Sequence, residues 1–226
     1  MHEDDAAVEA LRALIRIPTV SHWEPGRVDR AAFESLLTEL RVRFPRLHGT
    51  CEVERIAGDA LLVRWPGRTR EAPVVLMAHL DVVPVGDSAA WTRPPFGGDL
   101  ADGHVWGRGA LDCKGSLVAT CQAVEALIGE GVTPGRDVWL SFGCNEEVSG
   151  SAAVDAVAIL RERGIEPWFV LDEGGAIVRG VLPGVDAPIA VVGVSEKGTV
   201  DVELVARGDG GHASAPRRMG ATSRLA

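Results

Sequence analysis

A single imidazole and a series of carboxylates recur in this chain, each just past an apolar run of strand length. His79 and Asp81 follow the run at residues 74–78, Glu146 and Glu147 follow 137–143, and Asp172 and Glu173 follow 168–171. Asp112 lies between Arg108-Gly109 and Lys114-Gly115, at the head of an apolar helical pattern. Residues two apart on an extended backbone share a face, so His79 and Asp81 leave their strand side by side. Neutral imidazole and carboxylate groups at strand ends are the materials of a divalent-metal site. Each group also has a plainer reading. His79 and Asp81 make a hydrogen-bonded pair, Asp112 a helix N-cap, and Glu146-Glu147 a solvated pair favoured by a helix dipole. Four clusters in equivalent places favour one convergent site.

The elements that must position these groups can be read from periodicity. Residues 6–17 carry Val8, Leu11, Leu14 and Ile15 at helical spacing and stop at Pro18. Residues 29–44 form a second amphipathic helix, with Asp29 as its N-cap. Strands are expected at 51–56, 60–65, 74–78, 104–106, 137–143, 168–171 and 189–194. Helices are expected at 115–129 and 149–163, the second ended by Gly164. This alternation, with several strands apolar throughout, predicts an α/β fold: a mostly parallel sheet flanked by helices. Ligands in such sheets bind beyond the carboxyl ends of the strands, where the clusters fall. From about Ser195 the texture changes, and residues 198–206 alternate like a half-exposed strand.

Composition narrows the partners. The 226 residues are 46% hydrophobic and 24% charged, with net charge −9 and no basic cluster, which argues against nucleic acid. No apolar run approaches a bilayer's thickness and the acidic N-terminus has no signal core, so no membrane is expected and a cytoplasmic location is. The cysteines Cys51, Cys113, Cys121 and Cys144 form no CxxC pair and read as reduced, buried thiols. Cys113 adjoins Asp112 and is expected to point away from the site. Arg108 and Lys114 flank Asp112 and are expected to neutralise charge there. His104 is assigned to structure.

Five ordered motifs carry a family resemblance: His79-Leu-Asp81-Val-Val-Pro84, the segment Trp106-Gly-Arg-Gly-Ala-Leu-Asp112-Cys-Lys-Gly115, Asn145-Glu146-Glu147, Leu171-Asp172-Glu173-Gly174 and Gly210-Gly-His212-Ala-Ser214. The chain resembles the zinc-dependent aminoacylase and carboxypeptidase family, which includes acetylornithine deacetylase and succinyl-diaminopimelate desuccinylase. Pro94-Pro95-Phe96-Gly97-Gly98 and Asp172-Glu173-Gly174-Gly175 resemble its carboxypeptidase S-like branch.

That resemblance implies a zinc-exopeptidase-like catalytic domain at 1–195 and the start of an inserted α+β lid and dimerisation domain at 196–226. It implies a homodimer and two zinc ions, with cobalt or manganese as substitutes. It further implies hydrolysis of an amide bond in a peptide or N-acyl amino acid. His79, Asp112 and Glu147 are the implied metal ligands, joined by one of Asp172 and Glu173. Asp112 is implied to bridge two ions, an arrangement suited to a separation of roughly 3.5–4 Å. Asp81 is implied to hold the His79 ring, Glu146 to be the general base, and His212 to stabilise an oxyanion in a neighbouring subunit. Asn145 departs from the acidic residue more usual at its position. The family draws a second histidine ligand from beyond the lid, so the resemblance implies a catalytic domain incomplete at its C-terminal end. Two expectations follow: the N-terminal portion of a metallohydrolase, or a truncated remnant that binds metal or dimerises without turnover.

Overall fold

The computed structural model describes residues 3–195, 198, 200, 202–208 and 220–225. The chain divides into two units, Met1–Glu173 and Gly174–Ala226. The first contains α1 (Glu3–Ile15), α2 (Arg30–Arg43), α3 (Pro45–Thr50), β1 (Glu52–Ile56), β2 (Ala60–Trp65), β3 (Val74–His79), β4 (Asp99–Ala101), β5 (His104–Trp106), α4 (Lys114–Gly129), β6 (Val138–Gly143), α5 (Ala152–Glu162) and β7 (Phe169–Leu171). The second contains β8 (Ala176–Val178), β9 (Ile189–Val191) and α6 (Ala221–Leu225).

The main sheet has the order β1-β2-β6-β3-β7. β3 runs parallel to both β6 and β7, while β1 and β2 add an antiparallel edge. Parallel strands need coverage on their faces, and helices supply it: α4 packs on β3, and α5 packs on β6 and β1. All six residues of β2 are buried. Leu36 and Leu40 of α2, Leu117 of α4 and Leu62, Leu140 and Phe142 of the sheet share one apolar cluster. Each such side chain contributes about 1.5–3 kcal/mol on burial.

Two buried carboxylates tie the layers together. Asp137 accepts from Arg64 Nε at 2.6 Å and from the Gly67 N–H at 2.8 Å. Asp59 is paired with both Arg30 and Arg55. Elsewhere, Asp29 caps α2 as its type predicts, accepting from the Ala31 and Ala32 N–H groups.

The structure departs from the sequence pattern in several places. α1 begins at Glu3 and ends at Ile15, two residues before the stop expected next to Pro18. α5 begins at Ala152 rather than at residue 149, because Glu146–Val148 forms a 3-10 turn and Ser149 is left-handed at φ 49°. α3 has too few residues to show a period; Glu125 of α4 supplies its start, accepting from the Arg46 and Leu47 N–H groups. The three-residue β4 pairs with β5.

In the second unit β8 and β9 form an antiparallel pair. The strand expected at 198–206 is absent among the described residues of that stretch. Val200, Val202 and Leu204 are exposed there. Alternation signals a half-buried strand only where a sheet face receives the apolar side.

Candidate metal centre

Three parallel strands deliver their ends to one place. The β3–β6 register sets His79 opposite Gly143, so Glu146 and Glu147 follow at the level where His79 stands. Leu80 donates its N–H to the Gly143 carbonyl at 2.7 Å, which holds the two exits together. β7 ends at Leu171, and Asp172 and Glu173 come next. Asp112 arrives from the loop before α4; its peptide bond to Cys113 is cis. In that loop Gly109 has φ 83°, and a side-chain carbon there would fall 2.7 Å from Val82 Cγ1. Glycine is therefore required for the loop to lie against the chain beyond β3.

His79 is the hub. Its Nε2 lies 2.8 Å from Asp112 Oδ1, 3.2 Å from Glu173 Oε1 and 3.8 Å from Glu146 Oε2. His79, Asp112 and Glu147 place one ligand atom each within 4.8 Å of one another, and so do His79, Cys113 and Glu173. The structure thus gathers His79, Asp112, Glu146, Glu147 and Glu173. Asp172 Oδ1 accepts from the Glu173 N–H at 2.8 Å, and Asp172 lines a crevice of about 230 Å³ together with His79 and Glu146. His212 lies outside the described residues.

Asp81 is fully buried and has two duties. Its backbone carbonyl lies 2.9 Å from His79 Nδ1, while its carboxylate Oδ1 is 3.5 Å from that nitrogen. The carbonyl is the better-placed acceptor and leaves Nε2 facing the acids. The carboxylate instead accepts from the backbone N–H groups of Glu146 at 3.1 Å and Glu147 at 3.2 Å. The two glutamates are therefore anchored through their main chain, leaving both side chains at the site.

Three neighbours of Asp112 do not match expectation. Lys114 does not neutralise it: the side chain is buried and its Nζ donates to the Leu14 and Ile17 carbonyls, each at 2.8 Å. It ties the end of α1 to the start of α4. Arg108 stacks over the Trp91 ring at 5.1 Å and forms no ion pair with Asp112. Cys113 does not point away; its Sγ accepts the His79 N–H at 3.0 Å, and burial pushes its thiol pKa up. Asn145 caps α5, its Oδ1 accepting the Ala152 N–H at 3.1 Å. His104 is an exposed strand residue whose Nδ1 lies 2.6 Å from the Asp102 carbonyl.

The electrostatics follow from this crowding. Burial opposes charge on His79, yet Asp81 and Cys113 raise its pKa to about 12. Glu146 and Glu147 are both raised, first by burial and then by the acids around them, with His79 working in the opposite direction. Among the described residues no lysine or arginine forms an ion pair with Asp112, Glu146, Glu147 or Glu173. A field that favours positive charge at one point, lined by one imidazole and several carboxylate oxygens, fits a divalent cation.

The segment Pro18-Thr-Val-Ser21, which reads in sequence as a loop resembling the family's entry to the catalytic domain, has partners that no local pattern reveals. Thr19 Oγ1 donates to the Leu80 carbonyl at 2.6 Å, the Val82 N–H to the Thr19 carbonyl at 3.0 Å, and the Ser21 N–H to the Val82 carbonyl at 3.2 Å. Residues 19–21 are thereby stitched beside the site, through long-range bonds that leave no local pattern.

Comparison with known proteins gives this geometry a family. Residues 75–216, more than half of the chain, match Peptidase family M20/M25/M40. "Probable carboxypeptidase S-like 2" of Dictyostelium discoideum is 38% identical over 214 residues, covering 92% of this chain and 41% of that protein. "N-fatty-acyl-amino acid synthase/hydrolase PM20D1" of Bos taurus is 38% identical over 215 residues, covering 93% and 42%. Carboxypeptidase S of Saccharomyces cerevisiae is 36% identical over 227 residues, covering 94% and 38%. The chain thus spans about two fifths of these relatives' length. Human carnosine dipeptidase 1 shares the fold at TM-score 0.61 and 21% identity, over 76% of this chain and 38% of that one. The M20 family metallo-carboxypeptidase Sso-CP2 from Sulfolobus solfataricus does so at TM-score 0.59 and 20% identity, over 78% and 38%. With its motifs inside the matched region and its acids gathered on one histidine, the chain belongs to Peptidase family M20/M25/M40.

Proposed function

We propose that this chain carries the catalytic centre of a metal-dependent hydrolase that cleaves an amide bond in a peptide or N-acyl amino acid. The observation that carries this reading is the convergence of Asp112, Glu146, Glu147 and Glu173 on His79 with no side-chain cation pairing them among the described residues. His79, Asp112 and Glu147 would hold one ion, and Glu173 rather than Asp172 would join His79, because its oxygen is the one that reaches the ring. Zinc is the metal this donor set suits, two ions per complete site, with cobalt or manganese as substitutes. Bound there, zinc supplies Lewis acidity toward a water and a carbonyl oxygen.

The remaining roles belong to the chain. Glu146, held by its N–H on Asp81, accepts the proton of the attacking water. Its raised pKa suits it to hold that proton and return it to the departing amine nitrogen. Asp112, whose carboxylate is exposed and 2.8 Å from His79 Nε2, would be the ligand shared by the two metal ions. His212, on a lid and dimerisation domain beginning near residue 196, would stabilise the oxyanion in a partner subunit of a homodimer. The relatives' names, carboxypeptidase S and N-fatty-acyl-amino acid synthase/hydrolase, support the substrate class, and they favour a hydrolase over a remnant without turnover. No described helix is long and apolar enough to cross a membrane; we place the protein in the cytoplasm.

Metal content of the purified chain tests the reading. Zinc is expected to co-purify with the parent and with Glu146→Ala, and to be lost from Asp112→Ala. A parent that binds no divalent metal overturns the proposal.

A further inference from the structure

The thiol beside His79 brings a second kind of donor to the centre. Cys113 Sγ accepts the His79 N–H at 3.0 Å and lies 3.6 Å from the His79 carbonyl oxygen. One ligand atom each from His79, Cys113 and Glu173 fall within 4.8 Å of one another. The Glu173 oxygen is itself 3.2 Å from His79 Nε2. Of the four buried free cysteines, Cys113 is the one that joins such a group among the described residues.

His79 therefore belongs to two donor sets of different character. The outer set, with Asp112 and Glu147, adds carboxylate oxygens to the imidazole, and the Asp112 side chain is 68% exposed. The inner set, with Cys113 and Glu173, offers one nitrogen, one sulfur and one oxygen. His79 and Cys113 are 2% and 0% exposed, and the Glu173 side chain 25%. Carboxylate oxygens suit harder ions such as manganese, whereas a thiolate selects softer ones. Three protein donors suffice for a tetrahedral ion that keeps its fourth position for water. The His79 N–H that points at Cys113 Sγ can stay bonded to the sulfur once it ligates, and bonds of that kind orient a ligand and tune it. The ring's Nδ1 is directed at the Asp81 carbonyl, 2.9 Å away, which leaves Nε2 to meet a metal. One ring lone pair serves one ion, so the two sets are alternatives at a single imidazole.

We infer that His79, Cys113 and Glu173 form an inner site for a soft, thiol-seeking divalent cation of the cadmium type, in competition with the outer oxygen-rich set for His79. As the sulfur–metal bond forms, the Cys113 S–H bond breaks and its proton passes to solvent. Binding depends on these three side chains alone. Its consequence rests on the hydrolase reading above: an ion seated there occupies the imidazole that the working metal needs.

The test is metal binding to the 226-residue chain, with cadmium and manganese as the probes. X-ray absorption at the cadmium edge should find sulfur among the ligands of the parent's ion, and that form should carry an ultraviolet sulfur-to-cadmium charge-transfer band. Cys113→Ser and Cys113→Ala should lose both signals. They should weaken cadmium binding by at least about tenfold and manganese binding by less than about twofold. Asp112→Asn should do the reverse, weakening manganese while cadmium keeps its sulfur. Cadmium without a sulfur ligand in the parent, a measurement that needs no variant to fold, overturns the inner site. So does a sulfur signal that survives both Cys113 variants. Manganese still held through Asp112 in either case leaves the hydrolase reading standing. Cadmium held through Cys113 in a chain that takes neither manganese nor zinc through Asp112 keeps the inner site and overturns the hydrolase reading instead.

Discussion

Two groups of carboxylates in this molecule have opposite surroundings. Asp137 and Asp59 are buried, and each is met by arginine: Asp137 by Arg64 at 2.6 Å, Asp59 by Arg30 and Arg55. Asp112, Glu146, Glu147 and Glu173 crowd one histidine, and no arginine or lysine pairs with them among the described residues. The acids of the first group lie within or between strands, where the chain itself supplies the counter-charge. Those of the second lie beyond the strand ends, where it does not. The difference separates charge that the chain itself neutralises from charge that the described residues leave without a cation.

The largest expected effect lies in the second group. Glu146→Gln should lower hydrolysis of an N-acyl amino acid by a factor on the order of 10² to 10⁴ while zinc content stays at the parent level. Rate and metal measured on the same preparation check this, and unchanged turnover would remove Glu146 from the chemistry. The next effect sets the groups against each other in metal-free protein. Asp137→Ala leaves Arg64 buried without its main partner and should cost about 3–5 kcal/mol in denaturant unfolding. Glu147→Gln removes one of several like charges and should cost less than about 1 kcal/mol, or stabilise. Equal losses would break the comparison.

The smallest effect is a control that belongs to neither group. Burial lowers the His48 pKa from 6.5, Arg41 adding to this while the Phe44 carbonyl and Glu125 oppose it. Above 6.5 the ring is neutral folded or unfolded and contributes nothing. As pH falls through 6.5 the unfolded chain takes up the proton first, so stability declines until the folded pKa is passed. A His48→Gln variant should show a flatter stability profile just below pH 6.5, and that slope must be subtracted before any pH dependence is ascribed to the site.

Much of this was legible in the sequence for physical reasons. β2, β3 and β6 are apolar runs bounded by turn residues, and the chemistry-bearing side chains sit at their ends, so strand pattern and site placement were read together. The helices α2 and α4 bury enough periodic side chains to be recognised. What escaped was set by distant partners. The start of α3 depends on Glu125, 79 and 78 residues along from Arg46 and Leu47. The destination of Lys114 is carbonyls 100 and 97 residues away. Asp81 looked like a partner for the His79 ring because the two are adjacent on one strand face; that its carboxylate accepts from Glu146 and Glu147 follows only from β6 lying beside β3. Asp172 and Glu173 are indistinguishable by pattern; in the fold the Glu173 carboxylate comes within 3.2 Å of His79 Nε2, while Asp172 lines a crevice beside the same ring.

Lys114 has a consequence for labelling chemistry. The sequence contains two lysines, Lys114 and Lys197. In the folded chain the Lys114 amine is sealed beneath α1, donating to two main-chain carbonyls, and burial lowers its pKa to about 7. An acylating reagent therefore meets a good nucleophile that it cannot reach. Once the α1–α4 junction parts, that amine becomes accessible, so the rate at which Lys114 is tagged measures how often this junction opens.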